Sequence, residues 1–470
     1  MTFIGILIFV AGLFLTVIAV APEARRRLKD GETRRRVGAA FPPALHYPNY
    51  RAYWLGMLAS VAGFRMFEFS QFWLAYQLTG SPLYLGYVGV AQAVPGVVLN
   101  LFGGVFADRL DKRRLIIITQ VITAGLIFFL ATVTALDVVN RWHVLLVAFL
   151  AGGVDAFNQP ARQALFPYLI ERRVMMRDAA LNSTVWPGTA IVVPAIAGGI
   201  IALADTHVAL YVASLGFLTM AVVVHRLNLP RIVIDAKGNP VQDLAEGLRL
   251  IVRNSIFSFL IAMTFFNSFF GISYQIMMPV FAVDVLKVGA PGQGMLLGVR
   301  GIGALITNLW WGSRTQVAHK GWLIIGGAIG FGLLLAAFAL TSLIGRAIFP
   351  LALVLIFVMA VFNSTYTISI VSSLQMMVPD RMRGRVMGFH GMTWSIMPMG
   401  GMYTGGLAGI IGVPIAVATG GLIVSAFALG PALINRRLRN LDNLLRETEA
   451  SAVADETEPK PTPTPTATDN

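Results

Sequence analysis

The sequence predicts an all-α polytopic membrane protein. Its core is two blocks of six membrane-spanning helices, preceded by one extra N-terminal helix. Three observations lead there. Hydrophobic residues make up 56% of the chain and charged residues only 13%, against roughly 45–50% and about 25% in soluble domains; apolar surface in that excess has to face lipid. The apolar residues gather into helix-length runs separated by short charged turns. The cations of those turns collect on one side once the runs are threaded back and forth across a bilayer.

Residues Thr2 to Ala21 form the first run, followed by Arg25, Arg26, Arg27, Lys29, Arg34, Arg35 and Arg36. A secretory signal carries its positive charge before the apolar run, and Pro22 makes a poor cleavage site. Residues 1–24 therefore read as a retained anchor helix and 25–52 as a basic cytoplasmic linker. The first block, 53–227, holds runs at 53–77, 83–107, 115–136, 142–166, 179–204 and 207–227. A polar loop, 228–254, separates it from the second block, 255–435, with runs at 256–283, 292–312, 321–343, 347–372, 386–411 and 413–434. About 20 residues suffice to cross the hydrocarbon core. The Pro-, Thr- and Glu-rich tail, 436–470, reads as disordered and cytoplasmic.

Placing the N-terminus of the 53–77 run in the cytoplasm puts 30 of the 36 Lys and Arg residues on the cytoplasmic side and three outside. That asymmetry satisfies the positive-inside rule, and it accounts for the net charge of +13 without nucleic acid. The reading is a multi-pass protein of the plasma (inner) membrane with the core N-terminus and the C-terminus cytoplasmic. There is no cysteine, and the six histidines are scattered. Disulfides, thiolate catalysis and cysteine-ligated metals are excluded, and no cofactor is expected. An enzyme would need paired carboxylates, a metal cluster or a nucleophile with its base; none is legible, and no phosphate-binding glycine loop is present.

The two blocks share a pattern. In each, the fourth run closes on a proline, Pro167 or Pro379, and enters a short basic turn. Weak symmetry between six-helix halves is how many secondary transporters are built, with the substrate site near the midplane between them. Several motifs make the resemblance specific: Trp54-Leu55-Gly56, Tyr76-Gln77-Leu78-Thr79-Gly80-Ser81-Pro82, Gly103 to Arg114, Pro160-Ala161-Arg162-Gln163-Ala164, Ala180-Leu181-Asn182-Ser183 and Arg383-Gly384-Arg385-Val386. In this order the chain resembles a major facilitator superfamily (MFS) transporter of the enterobactin-exporter-like, or transmembrane secretion effector, branch, from about Asn49 to Arg437.

The resemblance identifies Gly103 to Arg114 as the superfamily's motif A. It implies that Gly104, Asp108, Arg109, Arg113 and Arg114 form a cytoplasmic gate, with Asp108 meeting the N-terminus of the eleventh run beside Arg383, Gly384 and Arg385. A carboxylate at a helix N-terminus gains roughly 0.3–1 kcal/mol, more when partly buried. The contact would exist only with the cytoplasmic side shut. Asp111 stands where glycine is usual and Lys112 where arginine is common, which leaves the turn and its basic partner open.

Ionisable residues inside spans are costly and commonly functional. Arg65 and Glu68, three apart on one helical face, form either a self-neutralising pair or a proton or substrate site. Asp155 and Arg162 in the fourth run and Arg300 in the eighth are the other candidates. Arg162 is expected to snorkel to the cytoplasmic face; Arg300 could meet an anionic substrate group. Gly188 to Gly199 resembles an antiporter motif, or is plain small-residue packing around Pro194. The leading function is a proton-coupled exporter of small amphipathic molecules, a monomer whose partners are the substrate, protons and the bilayer. An importer or lipid translocator of the same fold, or a non-transporting scaffold, stands as the alternative.

Overall fold

A computed structural model describes residues 47–109, 111–165, 169, 185–227, 240–314, 320–341 and 349–434; the side chains of 100–109, 164, 240–244, 380–381 and 431–434 are outside that description. The anchor helix, the linker up to residue 46, the tail, Ala180 to Ser183 and the turn at Glu171 to Asp178 lie outside the described residues; the end of the expected linker, from Pro48, is already helix. The helices are α1 Pro48–Thr79, α2 Pro82–Arg109, α3 Lys112–Ala135, α4 Arg141–Leu165, α5 Val185–Ala204, α6 Thr206–Arg226 and α7 Pro240–Arg253. The second half contains α8 Ser255–Val285, α9 Gly289–Gly312, α10 Lys320–Leu340, α11 Phe349–Met377, α12 Asp380–Ser395, α13 Met397–Ile411 and α14 Val413–Ile434.

Every expected core run falls on a helix, and among the described residues nine helices are long and apolar enough to cross a membrane. The others fall short for visible reasons. Helix α1 carries Arg51, Arg65 and Glu68, and α9 is glycine-rich around Arg300. The eleventh run is broken at Ile396 into α12 and α13, with Pro398 in the first turn of α13, where proline's missing N–H costs nothing. The polar loop also contains a helix, α7, whose apolar residues recur at helical spacing.

Local signals set the ends. Pro48 opens α1, and Gly80 closes it in the left-handed conformation (φ 59°) with its N–H on the Tyr76 carbonyl. Asp111 caps α3 by accepting from the Arg113 N–H at 3.0 Å, so the residue that replaces the usual glycine of the motif serves as an N-cap. Asn254 caps α8 through the Ile256 and Phe257 N–H groups. Helix α8 is irregular beyond Phe266: a π turn at Asn267–Gly271, a 3₁₀ stretch at Ile272–Met277 and a second π turn at Phe281–Val285.

Packing repeats between the halves. In the first, α2 packs on α4 and α3 on α6; in the second, α9 packs on α11 and α10 on α14. The halves meet through α2 with α13 and α5 with α9, which are equivalent pairs under the same pseudo-two-fold relation. Small residues make these approaches possible. A Cβ at Gly89 would stand 2.4 Å from the Pro398 carbonyl oxygen, and one at Gly198 2.3 Å from that of Ala290. In the small-residue series of α13, Gly405 is packed in this way, Gly401 lies against the Ile276 side chain of its own half, and Gly409 faces open space.

Among the described residues, the core is continuous across the halves at one end only. One buried apolar cluster runs through both halves, from Phe67, Phe72 and Tyr84 to Tyr274, Phe281 and Phe338. Toward the other end, where the turn before α3 and the start of α12 lie, there are two separate clusters. Tyr50, Tyr53, Ile116 and Met220 belong to the first half, and Phe257, Leu260, Tyr366 and Leu374 to the second. Among the described residues, the buried core joins the halves at one face and falls into two separate clusters at the basic one.

Candidate functional site

Between the halves, an open cavity is lined from both of them. Helix α1 supplies Arg65, Glu68, Phe69 and Phe72; α5 supplies Ala190 and Pro194. From the second half come Gln275 and Ile276 of α8, Gln293, Leu297 and Arg300 of α9, and Met397 of α13. Three of the five candidates from sequence, Arg65, Glu68 and Arg300, therefore share one site.

The Arg65 guanidinium donates to Glu68 at 3.2 Å, with the side chains 25% and 29% exposed, and lies over the Trp186 ring at 5.2 Å. Trp186 is held edge-on by Phe64. Both readings of the pair stay in place, since it neutralises itself and also faces the cavity. Arg300 forms no ion pair among the described residues. Gln293, only 2% exposed, keeps its Oε1 without a hydrogen-bond partner, as does Nε of Arg65.

Asp155 and Arg162 are elsewhere. Arg162 does not snorkel: it is 8% exposed and buried in the first half, donating to Ser60 Oγ at 2.6 Å and Asn158 Oδ1 at 3.2 Å. Gln120 donates to the same Asn158 oxygen and accepts from Ser60. This network ties α1, α3 and α4 together, so the long side chain satisfies neighbours rather than reaching for solvent. Asp155 precedes Arg162 by two turns on α4.

At the basic face, the side chains of Gly104, Asp108 and Arg109 fall outside the description; α2 ends at Arg109. Arg113 donates to the Val224 carbonyl at 3.1 Å and to that of His225, covering carbonyls at the C-terminus of α6 as a cation should. Arg114 stands 3.9 Å from Asp111. Arg383, Gly384 and Arg385 lie within the first turns of α12, which begins at Asp380 rather than after them. Arg383 donates to the Gln375 carbonyl, and Arg385 pairs with Glu246 of α7. Among the described residues, α2 and α12 touch only slightly.

The face where the core joins the halves holds a contact that sequence reasoning missed: the Tyr76 hydroxyl donates to the Asp284 carboxylate, joining the far ends of α1 and α8 across the halves. A signal existed, because Asp284 is the sole carboxylate between Glu246 and Asp380. Gln275 also lines the cavity, while Asn363 donates to Asn267 within the second half.

The transmembrane secretion effector family of MFS proteins matches residues 39–460. Macrolide efflux protein A of Streptococcus pyogenes is 22% identical over 83% of this chain and 96% of its own length. The staphyloferrin A transporter of Staphylococcus aureus is 24% identical over 78% and 91%. Among solved structures, a bacterial homologue of the human lysosomal transporter Spinster, inward-facing and unoccupied, superposes with a TM-score of 0.63 at 15% identity, covering 86% of this chain and 98% of that one.

Proposed function

The chain belongs to the transmembrane secretion effector family of the MFS, and on that premise we propose that it exports small amphipathic molecules by alternating access, driven by protons. At the coarser level it is a multi-pass membrane transporter and not an enzyme. Relatives named for macrolide, multidrug and staphyloferrin A transport support a small-molecule cargo.

The observation that carries the mechanism is the asymmetric core: one apolar cluster bridges the halves at one face, and two separate clusters face each other at the other. If the basic face is cytoplasmic, as the positive-inside distribution expects, this conformation loads cargo from the cell interior. Rocking the halves about the central cavity would close the basic face and part the opposite one. The plasma-membrane location, cytoplasmic termini and monomeric state are part of this proposal, as is the division into a six-helix bundle on each side of the 228–254 loop. The test is flux in reconstituted vesicles with and without a pH gradient, using a macrolide and an aryl-alkyl carboxylate as cargo. Flux that ignores the gradient removes the proton.

Two outcomes follow. Asp108→Asn should insert normally yet transport about tenfold more slowly, because the outward-open state loses its charge at the N-terminus of α12, worth up to about 2 kcal/mol when partly buried. Wild-type flux in that variant would take Asp108 out of the gate. Glu68→Gln should flatten the pH profile of transport if this carboxylate carries the proton; an unchanged profile leaves it as the partner of Arg65.

A further inference from the structure

Resting on the transporter reading, we infer that the central cavity selects amphipathic organic anions and that Arg300 is the residue that reads the charge. The cavity's three ionisable groups are Arg65, Glu68 and Arg300. Glu68 is engaged by Arg65 at 3.2 Å, which leaves Arg300 as a cation that forms no ion pair among the described residues. Its polar neighbour is the buried Tyr274 hydroxyl, which interacts with the guanidinium but brings no counter-charge. An arginine at membrane depth is costly and cannot shed its proton, so a carboxylate arriving with the cargo is the natural neutralising group, held by a two-pronged charge-assisted bond.

The rest of the lining specifies the cargo's other parts. Phe69, Phe72, Leu297 and Met397 offer an apolar wall. The buried Gln293 Oε1 lacks a donor and would accept one N–H or O–H from the ligand. The fitting molecule has a small apolar body, one carboxylate and at least one hydrogen-bond donor. A cationic amphiphile would instead place a second positive charge beside Arg300.

The experiment uses the full chain in neutral-lipid nanodiscs and three probes on one scaffold: 4-phenylbutyrate, 4-phenylbutyramide and 4-phenylbutylammonium. Binding is read as the dose-dependent rise of the unfolding midpoint, followed by tryptophan fluorescence. The carboxylate should bind at least about tenfold more tightly than the amide, the size expected of a charge-assisted hydrogen bond. Arg300→Gln should erase that ratio and Arg300→Lys should retain most of it, which keeps the test valid if the first variant folds poorly. Glu68→Gln frees Arg65 and should raise the carboxylate preference several-fold. Preference for the ammonium, no binding by any probe, or an unchanged carboxylate-to-amide ratio in Arg300→Gln overturns the assignment. Nanodisc binding needs neither gradient nor direction, so its failure is distinguishable from failure of export: vesicles that export the ammonium but not the carboxylate would refute the anion site and leave the exporter standing.

Discussion

Gly198→Leu should leave the protein folded and stop its cycle. A Cβ at this position would lie 2.3 Å from the Ala290 carbonyl oxygen, and backbone in a packed helix cannot move aside. Overpacking costs typically 1–3 kcal/mol, and here the strain sits between the halves rather than inside one. Parting α5 from α9 relieves it without unfolding anything. A bias of about 3 kcal/mol toward the state open at the opposite face is roughly a hundredfold change in the conformational ratio. Transport should fall at least tenfold. The chain has no cysteine, so a single cysteine at Gln275 reports access cleanly. Its labelling by an impermeant maleimide should move from the basic face to the opposite face. Labelling and flux that both match the parent would mean the α5–α9 contact is not the closure.

Gly332→Leu should do the reverse and cost the fold. The clash is of the same size: a Cβ there would stand 2.2 Å from the Gly421 carbonyl oxygen and 2.3 Å from Ser425 Oγ. Helices α10 and α14 belong to the same half, however, so no step of the cycle separates them. With native stabilities of about 5–15 kcal/mol, a loss of roughly 3 kcal/mol should lower the unfolding midpoint by several degrees or more. The monodisperse fraction in size-exclusion chromatography should drop with it. A well-behaved protein with parental melting would show that this contact yields easily. Together the two substitutions separate contacts that hold a state from contacts that hold the molecule.

Much of the architecture was legible because membrane helices are specified by composition over long windows. Apolar runs and the placement of cations locate α1 to α6 and α8 to α14 within a few residues. The break at Ile396 was partly legible, since Pro398 follows it in the first turn of α13. Helix α7 was legible in principle, from Leu244, Leu248 and Ile251 at helical spacing; polarity drew attention away from it. For the site, mid-span charge picked out Arg65, Glu68 and Arg300 correctly as a group. Spacing alone could not tell that Arg162 points into a hydroxyl and amide network of its own half. Tyr76 was hidden because a tyrosine at a helix end is ordinary in a membrane protein, and only its partner gives it meaning.

The irregular ladder of α8 has a mechanical consequence. A 3₁₀ stretch rises about 2.0 Å and turns about 120° per residue, against about 1.5 Å and about 100° for an α-helix. Re-forming the six residues Ile272–Met277 as α-helix would draw the far end in by about 3 Å and swing it through roughly a third of a revolution. Asp284 rides on that far end. Its bearing toward Tyr76 is set by the winding of a segment that also carries Gln275 into the cavity. The helix is thus threaded like a screw: a change of pitch at the cargo would turn the bolt at the door.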